Sequence, residues 1–249
     1  MTSIIGIIPA RYESSRFPGK PLVDIDGKSM IQRVYERSKA CKALRRVIVA
    51  TDDSRIEEAV KDFGGEVMMT RQDHRNGTER CAEVAQSVDA DYFINIQGDE
   101  PYIHEDQIHT LVDILDGHVQ LGTLVKKVED LALLDNPNVM KVVVDHQRYA
   151  IYFSRSCIPY IRGHEKEDWL EQHRFWKHIG IYAYRKDILQ EIVKLPTGVL
   201  ERAESLEQLR WVEFGYPIKT ASTDKEGVSI DTPEDLKRLK KYLKDGKIS

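Results

Sequence analysis

Ser3-Ile-Ile-Gly-Ile-Ile8 is a short apolar run rich in β-branched residues, and it predicts a buried strand. Pro9-Ala-Arg-Tyr-Glu-Ser-Ser-Arg-Phe-Pro-Gly-Lys-Pro-Leu22 follows at once, so the strand's carboxyl end opens into a loop carrying Arg11, Ser15, Arg16, Gly19 and Lys20. In open α/β sheets, ligands bind in the crevice at the carboxyl ends of the strands. Fixed cations and free backbone N–H groups there suit a polyphosphate, because charge-assisted hydrogen bonds are about twice as strong as neutral ones. The loop therefore predicts a nucleotide site; the bland alternative is a basic surface loop after an edge strand. A Walker A loop fails on spacing, since Gly27-Lys28-Ser29 has Leu22 where the motif needs its first glycine. No G-x-G-x-x-G occurs, so the dinucleotide fingerprint is absent as well.

Working outward, Arg46–Thr51, Glu66–Thr70 and Asp91–Gln97 read as further strands. Helices are expected from Asp53 or Ser54 to Phe63, over Thr78–Val88 and over His104–Leu115. That alternation predicts βαβ units and a Rossmann-like, mainly parallel sheet flanked by helices. The second half carries closely spaced strand-like runs at Leu121–Lys127, Met140–Asp145, Ala150–Ser154 and His178–Tyr184, which predict a mixed or antiparallel extension. A helix over Ser205–Phe214 and strands at Ile218–Ser222 and Gly227–Ile230 are expected next. Thr232-Pro-Glu-Asp235 then opens a terminal helix, with Thr as N-cap and Pro at its first position. The irregular segment Ile161–Phe175 is expected to act as a mobile flap, and residues 1–249 to form a single domain.

The totals bound the rest. With 249 residues and 41% apolar residues the chain can bury a large core, and 31% charged residues give a well-solvated surface. A net charge of −4 argues against a general nucleic-acid binder. Cys41, Cys81 and Cys157 are scattered and odd in number, which fits a reduced, cytoplasmic setting better than a disulfide framework or zinc site. No apolar run approaches the ~18 residues a membrane span needs, and no basic segment precedes the first strand, so neither a membrane anchor nor a signal peptide is expected.

Asn95-Ile-Gln-Gly-Asp-Glu-Pro101 places Asp99 at a strand's carboxyl end, where a nucleotide's phosphates would lie. Mg²⁺ is usually held by one or two carboxylates plus substrate phosphates, and Asp231, between a strand-like run and the capped helix, is the second candidate ligand. The plain alternatives are a solvated turn for Asp99 and a capping role for Asp231.

Taken in order, IPARYESSRFPGKPL, ATDD, HRNGTER, NIQGDEP, NPNVMKVV, YFSRSCIPY, HIGIYAYR, ESLEQLR and DTPEDL resemble the 3-deoxy-manno-octulosonate cytidylyltransferases over nearly the whole chain. The resemblance implies a nucleotide-diphospho-sugar transferase-like fold. It also implies a reaction in which CTP and the acid sugar Kdo give CMP-Kdo and pyrophosphate for lipopolysaccharide assembly. On that resemblance Arg11, Arg16 and Lys20 bind the triphosphate, and Asp99 and Asp231 hold one or two Mg²⁺ ions. Ser15, Asn76, Gly77 and Arg80 join the nucleotide site. Gln97, Arg155, His178, Tyr182, Glu207 and Gln208 match the sugar-contacting segments. Strand alternation would put His178 and Tyr182 on one face, although His178 also suits a structural role and Glu207 an ordinary ion pair with Arg210. A homodimer is implied as well, with sugar binding and dimerisation in roughly residues 121–222. Two departures stand out. Asn76 and Glu79 replace the family's usual Ser and Asp, and Ser229-Ile230 its usual Gly-Val. The preferred sugar could thus be the 8-amino analogue of Kdo, or more remotely a sialic acid; a nucleotide-binding module without turnover is the option from another class.

Overall fold

The computed structural model describes residues 2–13 and 17–244, the side chain of residue 244 excepted. The chain divides into two compact units, residues 1–109 with 226–249, and residues 110–225. In the first unit β1 (Ile4–Ala10) runs parallel to both β4 (Arg46–Thr51) and β6 (Tyr92–Asn95), and β5 (Val67–Met69) adds to β4, also in parallel. Ile5, Ile7 and Ile8 are fully buried, as expected for a central parallel strand covered on both faces. Three helices accompany these strands: α1 (Met30–Ala40), α2 (Ser54–Asp62) and α3 (Gly77–Ser87). α4 (Glu105–Val112) carries the chain onward.

Local chemistry fixes the ends of these elements. Gly27-Lys28 does not belong to a phosphate loop: β2 (Asp24–Ile25) and β3 (Lys28–Ser29) form a hairpin around Asp26 and Gly27. Their φ values of 52° and 81° are those of a two-residue primed turn. Ser29 then caps α1 by accepting from the Gln32 N–H, and Asp53 caps α2 by accepting from the Arg55 N–H. Gly64, at φ 72°, ends the turn after α2.

The second unit is built on β7 (Leu121–Lys127) and α5 (Ala132–Asp135), then β8 (Lys141–Val144), β9 (Ala150–Ser154), α6 (Trp169–Gln172) and β10 (Trp176–Arg185). α7 (Lys186–Ile192), α8 (Val199–Glu204), α9 (Gln208–Glu213) and β11 (Ile218–Ser222) complete it. β11 runs parallel to β7, whereas β7–β10, β10–β8 and β8–β9 are antiparallel. The mainly parallel sheet with a mixed second half is as expected. The chain then returns to the first unit with α10 (Pro233–Lys244).

Three details differ from the sequence reading. Ser205 adopts φ 53° and ends α8, so the helix expected over Ser205–Phe214 is shorter, and α7 and α8 were not anticipated. Gly227–Ile230 is not a strand: the buried Ile230 donates a single backbone bond to the Asp99 carbonyl (2.9 Å) rather than joining a ladder. The segment expected as a flap is packed. Trp169 and Phe175 stack at 6.1 Å in a buried cluster with Val128 and Leu134, and the Trp169 indole N–H donates to the His164 carbonyl. Trp169→Ala should therefore cost about 3 to 5 kcal/mol in urea denaturation and expose residues 161–175 to limited proteolysis. Unchanged stability would mean the segment is not anchored by this ring.

Candidate functional site

The carboxyl end of β1 meets the segment after β6 at very short range. A Cβ at Gly98 would lie 2.8 Å from the Pro9 carbonyl oxygen, so only glycine fits where these two strand ends pass. Gly77, at the start of α3, packs on the Pro9 ring, where a Cβ would come within 3.3 Å. Between them lies a cleft of about 590 Å³, lined by Arg11, Lys20, Arg75, Gly77, Gln97, Gly98 and Asp99 among others, all from the first unit. Among the expected nucleotide-binding residues Ser15 and Arg16 lie outside the described residues.

Lys20 is the electrostatic centre of this cleft. Gly19, at φ 72°, donates its N–H to the Tyr12 carbonyl (2.8 Å) and turns the chain into a short 3₁₀ segment beginning at Lys20. The Lys20 ammonium lies 2.8 Å from Asp99 Oδ2 and 3.4 Å from Asp231 Oδ1. Asp231 is held from both sides. Ile230 is fully buried against Ile25, Met30, Tyr102 and Leu239. On the other side Thr232 caps α10, its hydroxyl oxygen accepting from the Asp235 N–H while the Asp235 carboxylate accepts from the Thr232 N–H. Thr232 thus makes the cap to which Asp231 was the expected second contributor. Asp231's carboxylate and that of Asp99 instead converge on one positive charge. This donor set fits Mg²⁺, a hard cation that takes one or two carboxylates and completes its shell with water and phosphate oxygens. Among the described residues no group of three or more His, Cys, Asp or Glu gathers, as a protein-enclosed metal centre would require. Beside Asp99, the Glu100 carboxyl is pushed up to about 7, first by burial and then by the charges of Asp99 and Glu226.

The 74–80 turn explains the first departure from the family pattern. Asn76 caps α3 by accepting from the Glu79 N–H (2.9 Å), a task the usual serine would share. Glu79 accepts from the Arg75 N–H (2.7 Å) and from its guanidinium, so the longer acid closes a local ring of contacts. Arg80 is fully buried, and its guanidinium pairs with Asp52 (2.7 Å) and Thr70. Arg11 donates to the His74 carbonyl; burial and the nearby Arg80 charge push its pKa down, against Asp52 and Glu79.

The remaining expected residues belong to the second unit. His178 and Tyr182 are buried with ring centroids 5.2 Å apart. They share a face, as alternation predicts, since their partners Val125 and Thr123 lie two apart on β7; the register shift between Ile179 and Tyr182 shortens the distance between them. The Thr123 hydroxyl donates to the Ile181 carbonyl (2.8 Å) across this bulge, which leaves it to accept from His178 Nε2–H (2.9 Å). His178 Nδ1 and the Tyr182 hydroxyl are buried without a hydrogen-bond partner among the described residues. Burial pushes the His178 pKa down to about 3, so its ring is neutral, and burial, with Tyr184 and Glu207, pushes Tyr182 well up. Two neutral polar atoms thus wait for hydroxyl-type partners, since an orphaned buried polar atom is otherwise destabilising.

The Arg155 guanidinium donates to the carbonyls of Glu204 (2.7 Å) and Pro137 (2.9 Å), which ties strand β9 to the loops around it. Gln208 is buried in the first turn of α9, directly after Glu207, and Arg210 pairs with Glu201 (2.5 Å). Sequence reasoning missed Lys141, which is fully buried and donates to the carbonyls of Asn136, Val139 and Arg155 (3.0, 2.7 and 2.5 Å). It also missed Glu204, which accepts from Ser154 and the Arg155 N–H, and Asp52. A lysine heading the apolar run Lys141-Val-Val-Val144 was the signal available for the first.

A family model described as cytidylyltransferase matches residues 5–220. The 3-deoxy-manno-octulosonate cytidylyltransferase of Cytophaga hutchinsonii is 56% identical over 240 residues, 95% of this chain and 96% of that protein. The enzyme of the same name from Parabacteroides distasonis is 54% identical over 250 residues, 98% of this chain and 99% of that one. A solved structure of CMP:2-keto-3-deoxy-manno-octonic acid synthetase complexed with CTP is 44% identical, with a TM-score of 0.92 over 98% of this chain and 100% of that chain.

Asp52→Ala leaves the buried Arg80 charge without its carboxylate and should cost about 3 kcal/mol or more in urea denaturation; a loss below 1 kcal/mol would show that Arg80 finds other compensation. For His178 the folded pKa of about 3 lies below its unfolded value of about 6.5. The stability it contributes is therefore complete above about pH 6.5 and is lost as pH falls from there toward about 3, at up to about 1.4 kcal/mol per pH unit. Comparing stability against pH for the native chain and His178→Gln should show that slope flattened in the variant.

Proposed function

This chain belongs to the cytidylyltransferase family, and we infer that it transfers CMP from CTP to the anomeric hydroxyl of Kdo, giving CMP-Kdo and pyrophosphate and so activating Kdo for lipopolysaccharide biosynthesis. The observation that carries this reading is the convergence of Lys20, Asp99 and Asp231 at the carboxyl ends of the first unit's strands, in a chain about half identical to enzymes named for that reaction.

Each residue has a physical task. Lys20 and Arg11 bind the triphosphate and offset the charge that builds on departing pyrophosphate, which is positioning and electrostatic catalysis without a protein nucleophile. Asp99 and Asp231 hold Mg²⁺, which when bound supplies charge neutralisation at the α-phosphate and favours deprotonation of the attacking hydroxyl. Gly77 and Gly98 let the nucleotide approach the backbone closely, and Gln97 stands at the cleft wall. In the second unit the acceptor Nδ1 of His178 and the Tyr182 hydroxyl suit the hydroxyl-rich sugar, supported by Glu207, whose charge reaches Tyr182, and by its neighbour Gln208. Arg155 orders this sugar region through the backbone, and its remaining guanidinium N–H groups suit the sugar carboxylate. A homodimer through second-unit strands is supported by β9, which pairs only with β8 among the described strands and exposes Ile151 to 55%. A cytoplasmic setting is supported by three free cysteines.

Pyrophosphate release from CTP and Mg²⁺ should be strong with Kdo, abolished by EDTA, and weak with the 8-amino analogue or a sialic acid. Asp99→Ala and Asp231→Ala should each lower kcat by about 10³-fold or more while leaving the circular-dichroism spectrum unchanged. Release with another sugar alone would move the specificity, and CTP binding with no release from any sugar would overturn the reading.

A further inference from the structure

Three cations of the second unit gather round Trp176. Trp176 and Lys127 are direct cross-strand partners on β10 and β7, so their side chains share a face of the sheet. The Arg148 guanidinium lies 4.7 Å from the Trp176 ring centroid and that of Arg174 lies 5.7 Å from it. Among the described residues none of the three makes an ion pair, and the nearest acid in sequence to Arg148, Asp145, directs its carboxylate to the Tyr149 N–H (2.7 Å). Lys219 adds positive charge at the same turn, its ammonium 2.6 Å from the Gln147 carbonyl oxygen and 4.5 Å from the Tyr149 ring.

The backbone makes this more than a solvated basic face. Arg148 has φ 67°, a conformation in which glycine is unstrained and a long side chain is not. It is held there from three directions. Its N–H donates to the Asp145 carbonyl (3.1 Å), and its own carbonyl accepts from the Thr220 N–H (2.7 Å) and hydroxyl (2.9 Å). A strained residue persists where its surroundings over-determine it, and strain of this kind concentrates at ligand clamps. Here the strain delivers a second guanidinium beside one already present. Burial, and after it the like charge of Arg174, push the Arg148 pKa down.

We propose that Lys127, Arg148 and Arg174, assembled on Trp176, form an oxyanion site for a phosphate group, either free or as a monoester. Planar guanidinium forks match tetrahedral phosphate oxygens in pairs, and a dianion bound between three cations relieves their mutual repulsion. The indole orients the forks and excludes water from one side. This site belongs to the second unit and uses none of the residues assigned to the nucleotide or the sugar.

The test is isothermal titration of the full chain with inorganic phosphate and, separately, glycerol 3-phosphate, with ionic strength held constant by NaCl. Binding should weaken about tenfold or more in Arg148→Gly/Arg174→Gln. Glycine suits the backbone at 148, so that variant keeps its fold and its pyrophosphate-release activity. Binding should survive in Lys20→Ala, which disables the nucleotide cleft, and the tighter of the two ligands identifies the source of the phosphate. No binding to the native chain, equal binding in the double variant, or loss of binding in Lys20→Ala would each overturn the proposal. The last outcome would place the anion in the nucleotide cleft without touching the assignment of that cleft.

Discussion

Only 2.8 Å would separate a Cβ at position 98 from the Pro9 carbonyl oxygen, and the arrangement of the first unit's cleft depends on that closeness. Real Cβ atoms essentially never come that close to a neighbour, so beyond the last paired residues of β1 and β6 the bare backbone of Gly98 lies against Pro9, and Asp99 leaves the sheet beside Pro9 and not away from it. The same closeness seats the start of α3 on the Pro9 ring through Gly77. Lys20 can then meet Asp99 within salt-bridge distance although the two are 79 residues apart. A bulkier residue at 98 would push the two strand ends apart before it altered any charge.

Charge burial is handled in two ways. Arg80 is wholly buried and is matched by the Asp52 carboxylate, so its pairing is ionic. Lys141 is equally buried and is matched by three carbonyl dipoles. Burial pushes its pKa down, because neutral oxygens compensate a desolvated ammonium less completely than a carboxylate does. Lys141 also binds the Arg155 carbonyl, while the Arg155 guanidinium binds the Pro137 carbonyl and Glu204. These crossed contacts make the 136–139 loop, the end of β9 and the turn after α8 one mechanical piece. An arginine whose type suits a carboxylate ligand is employed there as a brace.

Much of the fold was legible in the sequence, because periodicity and capping act locally. The apolar runs of β1, β4, β6 and β7 and the Thr232-Pro-Glu-Asp235 start of α10 were read from residues that touch in the chain. The convergence of Lys20 with Asp99 and Asp231 was anticipated from residue type at strand ends. What escaped depended on partners remote in sequence. The pairing of Arg80 with Asp52 and of Arg155 with the Glu204 turn was not legible from residue type alone. Alternation within β10 gave His178 and Tyr182 their shared face, but the register shift that draws them together is bridged by Thr123 in another strand and was not legible. The packed 161–175 segment looked irregular because its order comes from Trp169 and Phe175 meeting Val128 and Leu134, not from any period of its own.

Asp231 stands between the buried Ile230 and the cap of α10, whose Leu239 shares Ile230's apolar cluster with Ile25 and Met30. Its position is therefore mortgaged to the docking of the last helix. Proteins open in cooperative pieces, and terminal helices are often among the first to lift. Leu239, with the partly buried Leu236 and Leu243, is the share of the cluster that α10 supplies; Ile25, Met30 and Tyr102 stay in place without it. Loosening the helix would relax one side of the anchor on Asp231, while Asp99 keeps its own support beside the parallel strands. The spacing of the two carboxylates is thus tuned by a few aliphatic side chains of α10.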